Sequence, residues 1–225
     1  MAELPAVPGT AALSAPPAGG EQRLARFLSF ALHPLALGTP ISLWVGIAAF
    51  GGLSARVAEL IAWVGTLGLV FPMASLALLV RAGKISDFFM TRHADRRWLY
   101  PIGLVDLAII LSVFRAYEAP LPIWATAAAG IASAACMAVA NRWVKASLHV
   151  GGNAGILLAL CWVQGFYLWP ALALVPATIW SRIAMREHTP KETATGLVLG
   201  LLPTALVLFY LLGAPGLAGP LGAAP

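Results

Sequence analysis

Charge is what this chain has least of. Only 10% of its 225 residues are Asp, Glu, Lys or Arg, where a soluble globular domain carries about 25%. Apolar residues make up 60% and the mean hydropathy is +0.85. A surface so poor in charge must face hydrocarbon, which excludes a soluble enzyme and indicates an integral membrane protein surrounded by lipid. No nucleic-acid partner is expected. Cysteine is scarce as well: Cys136 and Cys161 both lie in apolar runs, read as small buried hydrophobes that leave the redox compartment undefined. No pair of carboxylates is spaced to hold magnesium and no His/Cys cluster has zinc spacing, so neither a metal nor a cofactor is expected. The opening stretch MAELPAVPGTAALSAPPAGG has neither the basic flank nor the continuous apolar core of a signal peptide. It reads as a disordered tail reaching residue 25, with a second tail at 214–225 and a membrane domain at 26–213 between them.

What is abundant is long apolar sequence. Windows fall at roughly 34–50, 57–80, 98–114, 120–143, 149–168, 169–181 and 194–213, and a helix needs about 20 residues to cross the hydrocarbon. The fourth, fifth and seventh meet that length; the sixth is short and reads as the upper end of a longer tilted helix. The expected fold is all-α, a polytopic transmembrane helical bundle of seven spans, with six as the alternative.

The few cations are unevenly placed. With seven spans, the N-terminal tail and the loops at 81–97, 141–148 and 182–193 share one side. That side holds Arg23, Arg26, Arg81, Lys84, Arg92, Arg96, Arg97, Arg142, Lys145, Arg182, Arg186 and Lys191, against Arg56 and Arg115 opposite. Basic loops stay cytoplasmic, so the charged face is expected in the cytoplasm, in an inner or plasma membrane. Asp106 is the exception inside a span. A charge there is costly and must face the bundle interior or carry a proton.

Three polar clusters fall on that face: GKISDFFMTRHADRRWLYP (83–101), NRWVKASLHVGGNAG (141–155) and SRIAMREHTPKETATG (181–196). Bundled helices can bring their ends around one pocket. Lys84, Arg92, Arg97 and Arg182 would supply fixed cations suited to phosphate oxygens. Ser147 and the backbone amides near Gly151 and Gly152 would add donors where a helix begins. His188 can act as a nucleophile if one ring nitrogen is held, and Glu192, four residues on, shares its helical face. His149 can protonate a departing oxygen. Arg186, Glu187 and Lys191 have no assigned chemistry and are read as facing solvent. Phe88, Phe89, Trp98 and Trp143 suit either a lipid entering sideways or an ordinary interfacial belt.

The stretch SRIAMREHTPKE, with Ser-Arg, five residues, His, three residues and an acid, resembles the third signature of the type 2 phosphatidic acid phosphatase superfamily, membrane lipid phosphatases related to vanadium haloperoxidases. Glu192 stands where that family normally has Asp, and Gly196 where it has a glycine. ASLH at 146–149 is similar to its Pro-Ser-Gly-His signature in Ser147 and His149, but Ala146 and Leu148 depart from it. In the first signature only Lys84 matches plainly; Arg92, Arg96 and Arg97 compete for the arginine, with Arg97 favoured and Arg92 next. The resemblance covers roughly 57–213. It implies a helical bundle with the site at the helix ends, His188 attacking phosphorus, Glu192 orienting it and His149 as general acid. Lys84, Arg97, Arg182 and Ser147 would hold the phosphoryl oxygens, helped by the backbone near Gly151. The implied activity is metal-independent hydrolysis of a lipid phosphomonoester or diphosphate, such as a polyprenyl phosphate or phosphatidate, through a phosphohistidine. The alternative is a non-catalytic or transporter-like protein that binds an anionic lipid, although no internal repeat supports a transporter. A CDP-alcohol phosphotransferase lacks its repeated aspartates here.

Overall fold

The computed structural model describes residues 19–86 and 95–215. Among them every regular element is helical: α1 (Gly19–Ala31), α2 (Pro34–Ala49), α3 (Ala55–Gly65), a π-helical turn (Thr66–Val70), α4 (Phe71–Arg81), α5 (Arg96–Ala116), α6 (Leu121–Ala140), α7 (Leu148–Gln164), a 3-10 segment (Phe166–Ala173), α8 (Leu174–Ala184) and α9 (Pro190–Leu212). Prolines account for two irregularities. Pro34 disfavours helical geometry at the residue before it, so the α1–α2 rod breaks at Leu32 and His33. Pro72 lacks an N–H and its ring crowds the carbonyl four residues back. The turn before it widens, and the Phe71 N–H bonds to Thr66 O.

Among the described residues, four helices end on the same type of left-handed cap, at Gly51 (φ 74°), Gly83 (65°), Glu118 (50°) and Arg186 (56°). Each end shows the same pair of reverse bonds. After α4, Gly83 N–H donates to Val80 O and Lys84 N–H to Leu79 O; after α8, Arg186 N–H donates to Ile183 O and Glu187 N–H to Arg182 O. Glycine takes this geometry without steric cost. A residue with a side chain, as at Glu118 and Arg186, does not.

α7 is the central helix, packed by α2, α6, α8 and α9; Val150, Ala154, Leu157 and Cys161 along it are at most 1% exposed. Small residues at four-residue spacing let its neighbours approach. Ser147, Gly151 and Gly155 of α7 face Gly196, Gly200 and Thr204 of α9, which runs parallel to it. A Cβ on Gly200 would lie 2.7 Å from Gly151 Cα, and one on Gly151 would lie 2.7 Å from Gly196 O. Such seams are how helices pack where hydrocarbon removes the usual hydrophobic drive. α6 closes the triad: Ser133 Oγ lies 3.0 Å from Thr204 Oγ1, and Met137 lies against Gly151.

Among the described residues, four helical stretches are long and apolar enough to cross a membrane: Gly19–Ala49, Ala55–Arg81, Leu121–Ala140 and Pro190–Leu212. They bear exposed apolar side chains such as Phe27, Leu78, Val139 and Leu206, as lipid-facing surfaces do. The other three apolar windows are also helical, but the fifth falls short of the expected length. α7 stops at Gln164, after 17 residues, because Gly165 turns the chain with φ 111°. The sixth is a 3-10 segment leading into α8. α1 begins at Gly19, inside the stretch read from the sequence as an N-terminal tail; the rest of that stretch, residues 1–18, and residues 216–225 lie outside the described residues. Asp106 is buried in α5, its Oδ1 without a partner among the described residues.

Candidate functional site

The end of α8, the starts of α7 and α9, and the α1–α2 break meet at one end of the bundle. α8 delivers Arg182, and the left-handed cap at Arg186 folds the chain back so that His188 N–H also reaches Arg182 O, at 3.4 Å. His188 and Arg182 therefore sit on one tight turn, with only 5% and 7% of each exposed. α9 then starts on a reciprocal cap. Thr189 Oγ1 accepts from Glu192 N–H, Pro190 fills the first helical position, and Glu192 Oε2 accepts from Thr189 N–H at 3.0 Å. The same Oε2 lies 3.2 Å from His188 Nδ1. One carboxylate thus fixes both the helix start and the imidazole.

The second cluster joins this turn directly. Ser147 N–H donates to Glu192 O at 3.1 Å, and Lys145 Nζ donates to Glu187 O at 3.4 Å. Ser147 is the N-cap of α7 and fully buried, yet its Oγ caps nothing and has no partner among the described residues. A buried hydroxyl left unsatisfied costs about 1–3 kcal/mol, which a ligand's oxygen would recover. The helix starts of α7 and α9 both present the positive end of their dipoles here.

One expected phosphate donor, Gly151, and one residue expected to face solvent, Glu187, are placed differently from the sequence reading. Gly151 N–H is already bonded to Ser147 O at 3.0 Å, because it is the first amide the helix itself satisfies; Gly151 is a packing glycine of the α7–α9 seam. The amides that the helix leaves without an internal acceptor are those of Leu148, His149 and Val150. Glu187 does not simply face solvent: it forms an ion pair with Arg182 Nη2, while Arg182 Nη1 donates to Ser29 Oγ at 2.6 Å.

The first cluster is placed differently. Lys84 Nζ sits 5.1 Å and Arg97 Cζ 5.7 Å from the centre of the Trp98 ring, a cation–π grouping. Among the described residues neither is joined by a hydrogen bond or ion pair to Arg182, Ser147 or His188. Arg92, with Phe88 and Phe89, lies outside the described residues.

Sequence reasoning missed several neighbours. Ser29 and His33 reach the site from α1 and the break after it, and the His33 and His149 rings meet edge to face, centroids 4.7 Å apart. Asn153 ties the break to the bundle, its Nδ2 donating to Leu32 O (2.7 Å) and Thr178 Oγ1 (3.0 Å). Nothing local in the sequence marks Ser29 or His33, and Asn153 lay in the second polar cluster without an assigned role. The capping box at Thr189 and Glu192 was not read from the sequence either, although T-x-x-E is its local pattern. Beside the site, walls that include Pro34, Gly38, Met137, Leu148, Gly152 and Ile156 bound an apolar cavity of about 460 Å³. Among the described residues no three His, Cys, Asp or Glu side chains are grouped as a metal site requires. The chain matches no protein-family model, no curated protein and no solved structure.

Proposed function

We propose that this is a multi-pass membrane phosphatase that hydrolyses a lipid phosphomonoester or diphosphate at the cytoplasmic face through a phosphohistidine. The observation that carries the reading is the buried His188 with Nδ1 held 3.2 Å from Glu192. A buried imidazole so oriented presents Nε2 as a nucleophile, and the carboxylate offsets the charge the ring gains.

His188 Nε2 attacks phosphorus while the P–O bond to the leaving group breaks, a lipid alcohol from a monoester or a lipid monophosphate from a diphosphate, and His149 gives a proton to the departing oxygen. Water then breaks the N–P bond and returns its proton to His149, leaving inorganic phosphate. Arg182, Ser147 Oγ and the first amides of α7 stabilise the charge on the phosphoryl oxygens. Glu187 occupies the Arg182 fork as a carboxylate stand-in, which an entering phosphate displaces or shares. Lys84 and Arg97 draw the anionic headgroup toward this end of the bundle. The cavity wall includes Pro34 and Leu148, next in sequence to His33 and His149, so it offers an apolar surface for the lipid's hydrocarbon. A polyprenyl phosphate, phosphatidate or similar lipid fits these requirements.

Purified protein in detergent with a chelator is expected to release inorganic phosphate from such lipids, and His188→Ala to abolish it. A second reading, anionic-lipid binding without turnover, is favoured by the pairing of Arg182 with Glu187. It predicts headgroup binding that His188→Ala leaves intact, with no phosphate released by either protein.

A further inference from the structure

The α1–α2 break brings a third imidazole to the site. His33 stands perpendicular to His149, their planes at 89° and centroids 4.7 Å apart, and lies within electrostatic reach of Arg182. Its position is fixed from both sides in the chain. Before it, Ser29 is tied to Arg182, and the Leu32 carbonyl accepts from Asn153; after it, Pro34 packs 3.3 Å from where a Cβ on Gly152 would lie. His149 is the second residue of α7.

We propose that His33 is a positioning residue: its ring packs edge to face with His149 and fixes the orientation in which His149 gives its proton to the leaving oxygen. The inference rests on the phosphatase reading above. Aromatic edge-to-face pairs restrict ring rotation through the attraction of a positive ring edge to a negative ring face. A general acid contributes only when its N–H is aimed at the oxygen that departs. Losing the ring partner removes the aim, not the acid.

The test compares two lipid phosphates of equal chain length, one with an alkyl alcohol as leaving group and one with a nitrophenol. The alkoxide needs its proton as the bond breaks; the nitrophenolate does not. His33→Ala is expected to lower kcat on the alkyl ester by about 10–100-fold, the loss that misaligning a catalytic group by about 1 Å brings. KM should stay within about threefold, and the first-turnover release of nitrophenol, which precedes the His149-assisted hydrolysis of the phosphohistidine, should slow by less than about threefold. His149→Ala should show the same contrast, more strongly. His33→Phe, which keeps an aromatic edge and face, should recover most of the alkyl-ester activity.

Equal losses on both esters would mean a general structural defect and overturn the proposal, as would an unchanged kcat in His33→Ala. Failure of His33→Phe to improve on His33→Ala would overturn the ring-packing basis. Absence of turnover by the unaltered protein on either ester would instead refute the phosphatase reading itself.

Discussion

Gly196→Ala tests how the fold holds the site together. A Cβ at Gly196 would fall inside 3.0 Å of Ser147 O and lie 3.1 and 3.2 Å from Ser147 N and C, all of them backbone atoms. Ordinary contact begins at 3.4 Å, so the start of α7 must retreat from α9 by about 1 Å. The bond from Ser147 N–H to Glu192 O, now 3.1 Å, would lengthen to about 4 Å and be lost. Overpacking costs about 1–3 kcal/mol and the lost bond about 1 kcal/mol more. The catalytic consequence is of similar size, because a shift of about 1 Å between Ser147 and His188 lowers kcat about 100-fold, or about 2.7 kcal/mol of barrier. The assays are thermal inactivation in detergent and phosphate release below the inactivation temperature. Gly103→Ala is the control, since a Cβ there meets nothing within 4 Å, and it should change neither. A Gly196→Ala protein with unaltered stability and turnover would refute the claim that this seam sets the site's geometry.

Arg186→Gly relieves a left-handed residue (φ 56°) at the end of α8 and should stabilise the protein by about 1 kcal/mol, read as a higher inactivation temperature. Glu118→Gly should do the same, because its exposed pair with Arg56 at 3.5 Å contributes little. Asn153→Ala removes two bonds from a buried amide and leaves Leu32 O without its donor. It should cost about 1–3 kcal/mol and lower turnover by loosening the α1–α2 break. A single cysteine at position 145 should resist a membrane-impermeant thiol reagent applied to intact cells, and labelling from outside would contradict the cytoplasmic assignment.

Apolar runs and their breaks made the helices legible because hydrocarbon-facing helices must be almost wholly apolar. Short lengths were harder to read: nothing in the hydropathy of 149–168 shows that Gly165 ends α7, since a left-handed turn depends on backbone geometry rather than polarity. The SR-x5-H-x3-E spacing was enough to bring His188 and Glu192 together, as both lie within one turn and an adjoining helix start. Gly151 was read as marking phosphate-binding backbone amides because a glycine near a helix start suggests exposed amides, but its own N–H is taken by Ser147 O. Its pairing with Gly155, and that of Gly196 with Gly200, is instead the small-residue spacing of a helix seam. Ser29 and His33 were invisible, for they lie more than 110 positions from His149 and Arg182 and only the folded bundle brings them near.

The central claim is the covalent one. Protein mixed with a radiolabelled lipid phosphate and quenched within milliseconds should carry label on the peptide containing His188, stable to alkali and lost in acid. The label should be absent from His188→Ala and should persist longer in His149→Ala, where water is no longer activated. Full phosphate release by His188→Ala, with no labelled peptide in the unaltered protein, would contradict the account.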